Sequence, residues 1–360
     1  MRIIHIVSGN IMGGPQRYAL DICRHYAGEG HDVIALTRDA KTVDRRFAEA
    51  GVTLEHAPLR DYPDLFSSLT LKPLLKDSPV GATVVHVHRY RDALTAIAAR
   101  KMAGRPDIRI IVTRHICEKG KTNWLRRYIY RQVDAHICVS ETARREFLSA
   151  WPEGRYPFDP TRLHVIFNSR NLPALRQPLP AKGAITAMCH GTLRPGKGLE
   201  TLIDALGELK DTRLRLKIVG SGNPDFVDSL RRRAQALNIM ERIDWIRNVD
   251  DPARLISLCH FGILPSETPE AFGMANLEYM AAGRAQISTF NGAQSEYLTP
   301  GAEALKVPPG NVIALANAMR ALYSDKNLAT RLGEQAARRY DSQLAWPRFI
   351  RHLDEIYLNS

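Results

Sequence analysis

Residues 2–37 read RIIHIVSGNIMGGPQRYALDICRHYAGEGHDVIALT. RIIHIV is a continuous apolar run of strand length. SGNIMGG is a glycine turn. Pro15 stands where a helix starts, and Gly28 and Gly30 stand where it stops. HDVIALT is a second apolar run. Strand, turn, helix, strand is a βαβ unit, which predicts a parallel sheet covered by helices.

The alternation continues through TVVHVH, RIIVTRH, AHICVS and LHVIF, then breaks at NSRNLPALRQPLPAKGA, which holds three prolines. A linker is expected over residues 169–183. A second alternating series follows: AITAMC, RLKIVG, RIDWI, FGILPS and AQISTF. The fold class is therefore α/β, with two Rossmann-like domains facing each other across a cleft. Sheets of this kind hold ligands at the carboxyl ends of their strands, at the point where strand order reverses.

The chain has 360 residues and a net charge of +12. That charge favours anionic partners, yet no zinc-finger spacing, aromatic RNP pattern or basic heptad points to nucleic acid. Five scattered cysteines without a CxxC pair indicate neither a disulfide framework nor a zinc site. No apolar run reaches membrane-span length, and nothing before the first strand reads as a signal peptide. The expected location is the reducing cytoplasm.

PEAFGMANLEYMAAGR, Pro269–Arg284, begins just after the strand-like GILPS. Pro269 and Gly273 predict a loop, and Met274 onward predicts a helix. Glu270 then sits on the loop and Glu278 on the second helical turn. Between them a helix N-terminus offers the amides of Gly273, Met274 and Ala275 to an anion such as a diphosphate. A nucleotide sugar fits that order of groups: hydroxyls, phosphates, hydroxyls. The competing reading makes both glutamates solvated surface charges.

Three other stretches carry chemistry. SGNIMGGPQ allows close backbone approach at Gly13 and Gly14, or is simply a turn. It is not GxGxxG, so a nicotinamide cofactor is disfavoured. HGTLRPGKG places Arg194 and Lys197 on a strand-to-helix loop, suited to a diphosphate or else an exposed basic turn. His86 and His88 share one strand face and read as hydrogen-bonded core. His115, at a strand end, is the functional candidate. A metal site is not expected. Lys119–Arg131 divides on a helix into Trp124, Leu125, Tyr128 and Ile129 against Arg126, Arg127, Tyr130 and Arg131. It reads either as a face for anionic membrane lipid or as an ordinary domain helix.

Together these motifs resemble the retaining glycosyltransferases of family 4, which have the GT-B fold. The carriers are EAFGMANLE with its following AAG, GTLRPGKG, IVGSG, GILPS, GGPQRYALDI, TRH and FNS, in the family's order. The resemblance implies an N-terminal domain of residues 1–168, a nucleotide-sugar domain of residues 184–343, and a final helix, 344–360, that returns to the first domain. It implies that Glu270 contacts the donor sugar, Glu278 the ribose, and Phe272–Ala275 the sugar and diphosphate. Lys197 is then the phosphate lysine, Gly14 the glycine facing the diphosphate, and His115 the histidine beside the reacting sugar. Thr192 stands where arginine is frequent, so Arg194 is assigned to the phosphates instead. Gln16, Asn248 and Ala293 also depart from the pattern.

The expected activity is transfer of a sugar, with UDP-sugar favoured over GDP-sugar, to a saccharide or lipid-linked acceptor in polysaccharide or lipopolysaccharide synthesis. No metal or cofactor is expected. Attachment to the inner face of the cytoplasmic membrane is a further expectation. The alternatives are an epimerase or phosphorylase on the same scaffold and, more distantly, a module binding nucleic acid or another acidic polymer.

Overall fold

The computed structural model describes residues 1–60, 64–172, 176–180, 184–247, 249 and 252–358. Parts of the expected linker (173–175 and 181–183) and Asn248 lie outside the described residues. The chain divides into two compact units, Met1–Asn168 with Phe349–Ser360, and Ser169–Arg348.

The N-terminal unit is built on seven strands: β1 (Arg2–Val7), β2 (Asp32–Thr37), β3 (Thr53–His56), β4 (Thr83–Val87), β5 (Arg109–Arg114), β6 (Ala135–Cys138) and β7 (Leu163–Val165). Their order is β3-β2-β1-β4-β5-β6-β7. Every pairing is parallel. The inner strands are apolar on both faces because helices cover both; Ile3, Ile4, Val85, Ile110 and Ile111 are fully buried. Each such side chain contributes about 1.5–3 kcal/mol.

The C-terminal unit holds six strands: β8 (Thr186–His190), β9 (Arg215–Val219), β10 (Ile243–Ile246), β11 (Phe261–Leu264), β12 (Ala285–Ser288) and β13 (Leu305–Lys306). The order is β10-β9-β8-β11-β12-β13, again parallel throughout. Strand order reverses between β1 and β4 in one unit and between β8 and β11 in the other. Those are the crevices where such sheets hold ligands.

The sequence pattern missed β3 and β13. Both are short edge strands: β3 is half-exposed and polar, and β13 has two residues. Neither carries an apolar run to detect. The helix expected in Lys119–Arg131 begins only at Trp124 and runs to Gln132. It inverts part of the expected split: Ile129 and Tyr130 are its buried residues, while Trp124 is 79% exposed. Tyr130 packs edge-on against Tyr90, Phe147 and Trp151. That aromatic cluster outweighs the side assigned by helical period.

The last helix, Trp346–Leu358, enters the N-terminal unit from Phe349 onward. There Asp354 accepts from the Tyr26 hydroxyl at 2.7 Å, and the Tyr357 hydroxyl lies 2.6 Å from His86 Nδ1. The start of the expected linker is packed rather than free: Ser169 and Arg170 are both buried. Further on, Gln177 gives its carbonyl to Arg284, the largest fully buried side chain among the described residues. Arg284 takes its other partners from the Ser257 and Ile256 carbonyls. It thereby satisfies a buried cation without a carboxylate.

Candidate active site

The β8–β11 crevice is built by two loops held against each other. One follows β8 and runs to the helix Leu199–Gly207. The other follows β11 and runs to the helix Met274–Ala281. The amides of Glu267 and Thr268 both donate to the Gly196 carbonyl, at 2.9 and 3.0 Å. Gly198 has φ +69°, and a Cβ there would stand 1.9 Å from the Pro265 carbonyl oxygen. No other residue allows this approach.

Lys197 Nζ meets Glu270 Oε1 at 2.5 Å across the joined loops. The Ser266 hydroxyl donates to the same Glu270 oxygen. Both groups are partly exposed, so the pair faces the crevice with an ammonium and a carboxylate side by side. Glu270 is also fixed through its backbone, whose carbonyl accepts from Ala293 N at 3.0 Å.

Directly after it comes the helix Met274–Ala281. Its N-cap is Gly273, at φ +94°, with no side chain capping the helix. The first-turn amides carry the positive end of the helix dipole. Phe272 is buried by stacking on Tyr297 at 4.8 Å between ring centroids, and the Tyr297 hydroxyl donates to the Phe272 carbonyl. This fixes the loop that delivers the helix.

Gly262 decides where that helix lies. A Cβ at Gly262 would fall 2.2 Å from the Tyr279 ring, so the bare strand lets Tyr279 pack against the sheet. Glu278, one residue before, then projects into the interior. Arg170 Nη1 donates to its Oε1 at 2.8 Å, and His190 Nε2 lies 2.6 Å from its Oε2. All three are buried. The Tyr279 hydroxyl gives its proton to the Met188 carbonyl, so its oxygen accepts from His190 Nδ1 at 2.8 Å. A further proton must therefore lie in the His190–Glu278 contact.

The structure thus brings Lys197, Glu270 and the Phe272–Ala275 turn together. It sets Glu278 apart, with each oxygen already on a protein partner. Arg194 is exposed, with only a local contact to the Pro195 carbonyl at 3.3 Å. Gly14 and His115 belong to the N-terminal unit. Gly14 is exposed, and nothing stands within 4 Å of where its Cβ would be. Gln16 turns back onto Gly13 N, accepting at 3.2 Å.

His115 follows β5, half-buried, and burial pushes its imidazole down to about 3, helped by the Arg89 charge. His86 holds Thr113 Oγ1 at 2.7 Å through its other nitrogen. His88 bridges His5 and His115. Sequence reasoning passed over Arg170, His190 and His5. Of these only His190 carried a signal, as the last residue of a strand that opens onto a glycine loop.

Among the described residues, Asp39, Asp44 and His56 are the one group whose ligand-type atoms lie within 4.8 Å of one another. They belong to the N-terminal unit. No described helix is long and apolar enough to cross a membrane.

Comparison with known proteins identifies the family and the fold. Residues 12–172 match the family described as Glycosyltransferase Family 4, and residues 173–339 match Glycosyl transferases group 1. A glycogen synthase of Mycobacterium tuberculosis is 26% identical over 97% of this chain and 91% of its own. The O-antigen chain mannosyltransferase C of Escherichia coli is 26% identical over 72% of this chain and 70% of its own. Among solved structures, Anabaena Alr3699/HepE in complex with UDP and glucose superposes with a TM-score of 0.86 at 16% identity, covering 100% of both chains.

Proposed function

The chain belongs to the family 4 glycosyltransferases of the GT-B fold, and from that premise we propose that it moves a sugar from a UDP-sugar to a hydroxyl of a saccharide or lipid-linked acceptor, with retention of anomeric configuration. The observation that carries the proposal is the Lys197–Glu270 pair beside the N-terminus of the Met274–Ala281 helix. A nucleotide sugar leaves as a diphosphate, whose growing negative charge needs fixed positive charge nearby. Lys197 and the first amides of the Met274 helix supply it. Glu270 uses Oε1 for both protein contacts, which leaves Oε2 for hydroxyls of the donor sugar. Arg194, exposed and held only locally, can turn toward the phosphates.

Glu278 is the ribose residue by resemblance. In this chain its carboxylate is held by Arg170 and His190, which fix where it would meet the ribose. His115 carries its role at the sugar by resemblance as well. UDP is favoured because a neighbour of the same fold binds UDP and glucose. A surface-polymer acceptor is favoured because a relative is an O-antigen mannosyltransferase.

Attachment to an anionic membrane surface is part of the same proposal. Its proposed site is the loop and helix start after His115, where Ile116, Lys119, Lys121, Trp124 and Arg127 are all exposed.

The test is thermal shift across a panel of nucleotide sugars, followed by acceptor-dependent release of UDP. Anomeric configuration of the product is read by NMR. Release of UDP that requires an acceptor, with a retained product, is the expected result. Stabilisation by no nucleotide sugar, or an inverted product, contradicts the reading.

A further inference from the structure

Three imidazoles of the N-terminal unit stand in a line. His5 lies within β1, His88 just beyond β4 and His115 just beyond β5. The β1–β4 and β4–β5 register puts all three on one face. His5 Nδ1 lies 3.1 Å from His88 Nε2, and His88 Nδ1 lies 3.2 Å from His115 Nε2. At the inner end, His5 Nε2 is buried and has no partner. At the outer end, His115 Nδ1 is the nitrogen left over for a ligand.

Burial keeps all three rings neutral: His5 falls to about 3, His88 falls well below its usual range, and His115 falls to about 3. A neutral imidazole has one N–H and one lone pair. Each N···N contact needs one proton, and His88 has only one to give. It must donate to one neighbour and accept from the other, so two arrangements remain.

In the first, protons point inward. His115 donates to His88, His88 donates to His5, and the His5 proton is left on Nε2 as a buried N–H without an acceptor. In the second, protons point outward. His5 donates to His88, His88 donates to His115, and His5 Nε2 is left as a bare lone pair. Among backbone groups, orphaned buried N–H donors are rarer than under-satisfied carbonyl acceptors, and we extend that preference to the imidazole. The outward arrangement wins, and it places the His115 proton on Nδ1.

We propose that His5 and His88 are positioning residues that lock His115 as its Nδ1–H tautomer, so that His115 meets an oxygen of the substrate as a hydrogen-bond donor and never as the base. The functional half of this rests on the reading that His115 stands beside the reacting sugar; the tautomer half does not. The acceptor hydroxyl then loses its proton to some group other than His115. His86 stays outside the chain, because both its nitrogens are occupied by Tyr357 and Thr113.

The experiment is long-range proton–nitrogen correlation NMR on the full chain labelled with 15N-histidine, with His115→Gln to assign the His115 signals. The expected spectrum shows His115 protonated at Nδ1 and bare at Nε2. A His115 ring protonated at Nε2 overturns the proposal. His88→Leu removes the donor and should mix the His115 tautomers, lowering kcat about tenfold with KM little changed, as expected for one neutral hydrogen bond. His88→Asn restores an N–H donor and should recover both tautomer and turnover. Melting temperature controls for folding. An unchanged tautomer in folded His88→Leu also overturns the lock. If the tautomer is as stated but His115→Gln leaves turnover intact, the lock stands and the placement of His115 at the sugar falls.

Discussion

Lys197 Nζ and Glu270 Oε1 lie 2.5 Å apart, on two loops that converge at the strand-order reversal of the C-terminal sheet. The two charges have different proposed partners, so their removal should be separable. Lys197→Ala is expected to weaken UDP binding by about 1.5–3 kcal/mol, the range for a lost charged hydrogen bond. Glu270→Ala should leave UDP affinity unchanged or tighter, because it frees Lys197, while turnover collapses. Calorimetry with UDP and a turnover assay check this. Weaker UDP binding in Glu270→Ala would remove it from the sugar.

The buried group Arg170–Glu278–His190 predicts a stability effect as well as a binding effect. Removing one member of a buried ion pair leaves the others uncompensated, at about 3–5 kcal/mol. Glu278→Ala should therefore lower stability by that amount in urea unfolding, together with UDP affinity. The pair Arg170→Met with Glu278→Leu should regain most of the stability and none of the affinity. A Glu278→Ala protein as stable as the wild type would show that the triad is not closed in solution.

Acid should destabilise the N-terminal unit first. His5 and His136 are fully buried, and burial lowers each to about 3. The unfolded chain takes up protons below about pH 6.5 while these rings stay neutral. Their stabilisation is complete above that value and is lost as pH falls toward 3. Each group costs about 1.4 kcal/mol per pH unit across that window. Urea midpoints at about pH 7.5, 6 and 5 test the sign; a midpoint that holds or rises on acidification contradicts it.

The exposed Trp124 and the exposed cations of the same segment predict binding to anionic vesicles that weakens with salt. Each basic residue near such a surface contributes about 1 kcal/mol. Trp124→Ala, and separately Lys119, Lys121 and Arg127 all changed to Gln, should each reduce co-sedimentation without moving the melting temperature. These side chains are exposed. Equal vesicle binding by both variants would remove the membrane from the proposal.

The sequence by itself determined the two parallel sheets and the loop-then-helix form of Pro269–Arg284. Continuous apolar runs, glycine turns and proline starts are local signals, and they agree with one another along the chain. It also marked Lys197 and Glu270, because both sit on glycine-flanked loops that leave strand ends. Tertiary structure alone decided what each carboxylate touches. Glu278 lies 108 positions from Arg170 and 88 from His190, separations that no periodicity spans. Gly262 makes that meeting possible by admitting Tyr279 to the sheet, a fact of shape rather than of pattern. The Trp124 and Tyr130 exchange has the same origin: helical period assigns a face, but the neighbours that fill a core choose which face is buried. The imidazole line of His5, His88 and His115 exists only because sheet register lays three distant strands side by side.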